Sequence, residues 1–149
     1  MTKHEERTVA IQALYSLSFT KVATEKELES IFRASLDACR TEDPTEEISP
    51  VFAWELTKGT WEHTQEIDRL LEKYSRKRSL GRVGRMERVL LSMALYELVF
   101  LNIKPPIIKK ESDILGQEFG LQESRAYISG ILDAAAKDLA RPAANEESQ

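Results

Sequence analysis

Residues 85–101 read RMERVLLSMALYELVFL, an almost unbroken apolar run at helical length. A helix that is apolar on nearly every side has no face to offer water, so it must lie at the centre of a bundle. Directly before and into this run the chain sets Lys73, Arg76, Lys77, Arg78, Arg82, Arg85 and Arg88 against a single acid, Glu87. Buried helix and basic segment together describe cations carried on a rigid scaffold. Such an arrangement suits a binding surface for a polyanion better than an active site.

The charge distribution sharpens this reading. The chain carries a net charge of −4, which argues against indiscriminate coating of nucleic acid. Residues 1–72 hold 8 bases and 15 acids, residues 73–88 hold 7 and 1, and residues 89–149 hold 6 and 9. One strongly positive segment between two acidic ones is the mark of an interaction surface. A length of 149 residues fits a single domain able to bury roughly 70% of its unfolded surface. Cys39 is the only cysteine, so no intrachain disulfide can form and a reducing compartment is expected. No segment reaches the roughly 18 apolar residues that a membrane span requires. The start, MTKHEERTVA, is charged where a signal peptide would be apolar. A cytoplasmic protein without membrane contact is the expectation.

Helical periodicity recurs along the chain. Ala10, Ala13, Leu14 and Leu17 form one stripe of a first helix over Glu5–Phe19. Thr24 and Glu27 form a capping box opening a second helix to about Cys39, with Leu28, Ile31, Phe32, Ser35 and Leu36 inward. Ser49-Pro50 starts a third, with Phe52, Leu56 and Trp61 in the core and Gly59 as a weak point. Ile67, Leu70, Leu71 and Tyr74 belong to its continuation or to a fourth helix. Gly81 and Gly84 bracket a turn before the central helix. Pro105-Pro106 opens the next helix and Gly120 closes it. The last runs over Glu123–Leu139, with Ile128, Ile131, Leu132, Ala135 and Leu139 on one stripe. No strand-like alternation and no fixed repeat occur. The fold class is therefore all-α, a compact bundle of six or seven helices over residues 1–139, with residues 140–149 a polar, disordered tail.

Catalytic signatures are missing. His4 and His63 stand in no metal-ligand spacing, and there is neither a phosphate-binding P-loop nor a dinucleotide glycine turn. The chain is not expected to be an enzyme or to carry a cofactor. Binding candidates are more numerous. Lys3, His4 and Arg7 lie at the start of the first helix, and Tyr15 follows them. An aromatic near cations can stack on unpaired bases, although the general habits of tyrosine favour reading Tyr15 as a core aromatic with its hydroxyl at the rim. Tyr127 poses the same choice. Glu123 and Ser124 suit a helix cap, and the helix start they mark also suits a phosphate.

Three segments in series carry a resemblance: AIQALYS at 10–16, GRMERVLLSMALYEL at 84–98 and FGLQESRAYISGILDAA at 119–135, with the proline pair 105–106 between the last two. In order and spacing, from about Arg7 to Ala136, the chain resembles the bacterial NusB transcription antitermination family. The resemblance implies two three-helix-type halves sharing a core, and an activity without catalysis. It implies pairing with the ribosomal protein NusE on the boxA element of single-stranded nascent RNA, within the RNA polymerase antitermination complex that supports ribosomal RNA transcription. By position, it places RNA- and NusE-facing roles on Lys3, His4, Arg7 and Tyr15, on Arg85, Glu87 and Arg88, and on Glu123, Ser124, Arg125 and Tyr127. The same fold also begins some ribosomal RNA cytosine methyltransferases, whose catalytic domain a chain of 149 residues is expected to lack. Three departures stand out. The arginine-rich start is thinned and interspersed with Glu5 and Glu6, the segment after Pro106 reads IIKKESDILGQ, and Ser129 replaces an asparagine. The competing reading is a helical protein–protein module or homodimer with no nucleic-acid role, anchored by Trp54 and Trp61.

Overall fold

The central helix sits where its composition requires. In the computed structural model, residues 1–39, 50–75 and 83–140 are described, and they form seven α-helices. These are α1 (Lys3–Leu17), α2 (Glu25–Ala38), α3 (Val51–Glu62), α4 (Thr64–Tyr74), α5 (Arg85–Leu95), α6 (Pro105–Glu118) and α7 (Arg125–Ala140). Helix α5 touches α1, α3, α4, α6 and α7, which wrap it, while α2 packs outside on α1 and α3. Val89, Leu90, Leu91, Met93, Ala94 and Leu95 are all buried. Helices α1–α3 form one half, with a small cluster of Val9, Ala13, Phe32 and Ala53 between them. Helices α4–α7 form the other, and the main core runs through both.

Helix ends follow local chemistry. Thr2 caps α1 by accepting from the Glu5 amide at 3.1 Å, so α1 begins at Lys3 rather than at Glu5. It stops at Leu17, and Phe19 stays outside with 59% of its surface exposed. Thr24 accepts from the Glu27 amide at 3.2 Å, as its capping pattern predicts. A break at His63 separates α3 from α4, so the two are distinct helices. Gly120, at φ +75, lets the Leu121 amide reach back to Gly116 O (2.7 Å) and the Gly120 amide to Gln117 O (3.2 Å). These bonds satisfy the last carbonyls of α6. A short 3₁₀ turn, Gln122–Ser124, precedes α7, which therefore starts at Arg125. Leu139 is 48% exposed and leaves the predicted core stripe; in this last turn of α7 the residue that meets the bundle is Asp138, which accepts from Tyr74 and pairs with Lys73 of α4. The Ser49 cap, Gly81 and the tail 141–149 lie outside the described residues.

Beyond Leu95, α5 continues as a π-helical turn, Tyr96–Phe100, closed by the Leu101 amide on Tyr96 O at 3.2 Å. Such turns add one residue to the helical period. The shift turns Tyr96, Glu97 and Leu98 all inward. Tyr96 then lies flush on the backbone of Gly59, where any added Cβ would overlap its ring. Gly59, expected to weaken α3, is the slot that admits this contact.

Candidate nucleic-acid and partner interface

The residues singled out from sequence fall into three groups along the bundle. The first is the start of α1. Lys3 is exposed, with its ammonium 4.0 Å from the Phe52 ring centre. His4 donates to Glu111 (2.9 Å) from Nδ1 and to Glu118 (2.8 Å) from Nε2. The Glu111 bond, ahead of opposing burial and the Glu118 contacts, raises the His4 pKa above its ordinary 6.5. Arg7 corrects the sequence expectation. Its side chain is 6% exposed and binds Glu97, itself 2% exposed, through Nε (2.9 and 3.2 Å) and a terminal nitrogen (2.7 Å). Glu111 approaches the same guanidinium at 3.7 Å. Burial pushes the Glu97 carboxyl above its usual range, and the Arg7 bonds pull it back. Arg7 thus ties α1 to the π turn and does not face a surface phosphate. Glu6 is buried as well and accepts from the Phe52 and Ala53 amides (3.1 and 3.2 Å) at the start of α3.

The second group lies at the far end of α1. Tyr15 is half-buried and meets Phe19 edge-on at 5.0 Å between ring centres. The Arg85 guanidinium lies 4.0 Å over the Phe19 ring. Glu87 accepts from the Gly84 amide at 3.3 Å and so caps α5. Arg88 is paired with Asp68 at 3.0 Å. Beside them a groove bounded by α1, α3, α4 and α5 takes in Leu14, Trp61, Gln65 and Val89. Of the basic segment, Arg76, Lys77, Arg78 and Arg82 lie outside the described residues, and Lys73 is bound to Asp138 at 3.1 Å.

The third group is the α6–α7 turn. Glu123 is exposed, whereas Ser124 is buried within the 3₁₀ turn and does not present its side chain to a ligand. Arg125 pairs with Asp113 at 2.7 Å. Tyr127 is half-buried, and its hydroxyl meets that of Ser75, the residue closing α4 just before the basic segment. Through His4 and Glu118 the first group adjoins this turn; the second stands apart. Sequence reading missed Glu6, Glu97 and Glu111, the carboxylates that hold α1 in place, and Phe19, the exposed ring.

Among the described residues no cluster of histidine, cysteine and carboxylates could hold a metal ion, and no helix is long and apolar enough to cross a membrane. An exposed ring under a guanidinium, with half-buried tyrosines on the same helical bundle, defines a recognition scaffold. The chain belongs to the NusB family, whose pattern matches residues 4–137. It is 38% identical to the transcription antitermination protein NusB of Desulfovibrio desulfuricans, over 93% of this chain and 86% of that protein. It is 36% identical to that of Myxococcus xanthus, over 91% and 95%. In fold it resembles a chain in a crystal structure of antitermination factors NusB and NusE with double-stranded RNA. There the TM-score is 0.76 and the identity 22%, over 91% of this chain and 96% of that one.

Proposed function

We propose that the chain is a non-catalytic, RNA-binding antitermination factor that acts with a NusE-type ribosomal protein on boxA-type RNA, in the cytoplasm and as part of the RNA polymerase antitermination complex. Family membership supports the activity. The separation of two surfaces supports the joint mode of action. From Lys3 to Ser18, whose carbonyl accepts from Arg85, α1 spans roughly 22 Å at the helical rise. RNA is assigned to the end bearing Lys3, Glu123, Arg125 and Tyr127, where the Tyr127 ring can stack a base and the cations can meet phosphates. The protein partner is assigned to Tyr15, Phe19 and Arg85. A large ring left 59% exposed beside an open groove is an anchor awaiting a protein surface.

RNA affinity of the chain alone is modest on this reading. Lys3 and His4 stand among Glu5, Glu111 and Glu118, so few phosphate contacts drive binding. Fluorescence anisotropy with a labelled boxA-like oligonucleotide tests the proposal. NusE is expected to tighten binding of the wild type, and Phe19→Ala to lose about tenfold of that gain while binding RNA alone as before. No gain from NusE would refute the joint mechanism.

A further inference from the structure

Helices α6 and α7 leave between them a cleft of about 430 Å³, which shares only Arg125 with the proposed RNA and partner contacts. Its size lies within the roughly 300–1,000 Å³ of small-molecule sites. Leu121, Ile128 and Leu132 give it an apolar floor. Ser112 lines it, is only 4% exposed, and among the described residues shows no hydrogen bond from its hydroxyl. Its hydroxyl keeps contact with the open cleft and so is available to a polar ligand there.

Charge at the rim specifies the ligand's sign. Lys109 is held by Asp133 at 2.6 Å. Arg125 spends its Nε on Asp113 at 2.7 Å, which leaves other guanidinium donors for a further acceptor. Lys110 lines the cleft and has no ion-pair partner among the described residues. A bare phosphate would leave the floor of Leu121, Ile128 and Leu132 uncovered; a phosphate joined to a flat ring covers it.

We propose that the α6–α7 cleft binds a single nucleotide, its base on the apolar floor and within reach of Ser112, its phosphate between Lys110 and Arg125. The nucleotide can come from the bound RNA, splayed out of the strand as unpaired bases are, or from a free mononucleotide. The first source deepens the antitermination reading and rests on it; the second does not. Arg125 joins the cleft to the proposed RNA end.

The test has two arms, run on the wild type, on Ser129→Leu, which fills the cleft wall, and on the surface change Lys110→Glu, which leaves the core untouched. In the first arm, isotope-labelled protein is titrated with the four nucleoside monophosphates and, separately, with inorganic phosphate, and amide shifts are followed by NMR. In the second, anisotropy reads the affinity for the boxA-like RNA with NusE. Shifts confined to residues 109–117 and 121–132, lost in both variants and absent with phosphate, are expected. An RNA affinity reduced about tenfold in the variants identifies the RNA as source. Unchanged RNA affinity beside lost mononucleotide binding identifies the free ligand. Equal shifts with inorganic phosphate, or no mononucleotide shifts together with unchanged RNA affinity in both variants, would overturn the proposal. RNA binding absent from the wild type while mononucleotides still bind would sink the antitermination reading and leave the cleft assignment standing.

Discussion

Replacing Arg7 with alanine separates an interior role from a surface one. Arg7 and Glu97 are 6% and 2% exposed and share three short bonds, so solvent screening offers no relief when one partner is removed. Breaking a buried pair leaves a carboxylate without compensation and costs about 3–5 kcal/mol. Total stability of a domain is about 5–15 kcal/mol, and at roughly 2–4 °C per kcal/mol the midpoint should fall by about 6–20 °C. The loss should shrink toward acid pH, because burial already pushes Glu97 above the usual carboxylate range and its neutral form tolerates the interior. The double change Arg7→Met with Glu97→Leu removes both charges and keeps the volume, and it should recover most of the loss. Urea and thermal melts followed by circular dichroism measure all three variants, with RNA anisotropy on the folded fraction in parallel. A loss under about 1 kcal/mol, the value of an exposed pair, with RNA binding selectively impaired, would refute the interior assignment.

Two further changes probe neighbouring contacts. Gly59→Ala puts a methyl into the Tyr96 ring and should cost about 1–3 kcal/mol by urea denaturation, relieved when Tyr96 is shortened to leucine; a neutral Gly59→Ala would mean that the two helices do not meet there. His4 has a folded pKa raised above 6.5, so its protonated form is favoured in the fold. Its contribution is complete below pH 6.5 and fades as the pH climbs through the higher folded value. His4→Ala should therefore destabilise more at about pH 6 than at about pH 8.5, and an equal loss at both would discount the bridge to Glu111 and Glu118.

The central helix, the Thr24 cap and the Gly120 ending were legible because each rests on local chemistry: an all-round apolar run, a hydroxyl before a helix, a residue tolerant of positive φ. Arg7 was misread by its neighbours. Beside Lys3 and His4 it passed for one more surface base, yet it lies three residues before Ala10 and seven before Leu14, on the buried stripe of α1. Glu97, an acid within an apolar helix, called for a buried cation, but that cation is 90 residues away in sequence. The π turn that brings Tyr96 and Glu97 inward together breaks the 3.6-residue period and so escapes any reading based on it. Of the candidate site, Tyr15 and Tyr127 stand out in the sequence as aromatics near cations, and Arg85 as part of the basic segment. Phe19 was not, since a ring at a helix end gives no sign of whether it folds inward.

Helix α1 carries one proposed ligand at each of its ends, and the buried Arg7–Glu97 bond anchors it between them. Two occupants sharing one rigid rod are bound by thermodynamic reciprocity: whatever factor RNA contributes to the grip on the protein partner, the partner returns to RNA. Assembly in either order then reaches the same final stability. Loosening the rod at its middle should erode the mutual reinforcement while sparing each separate affinity.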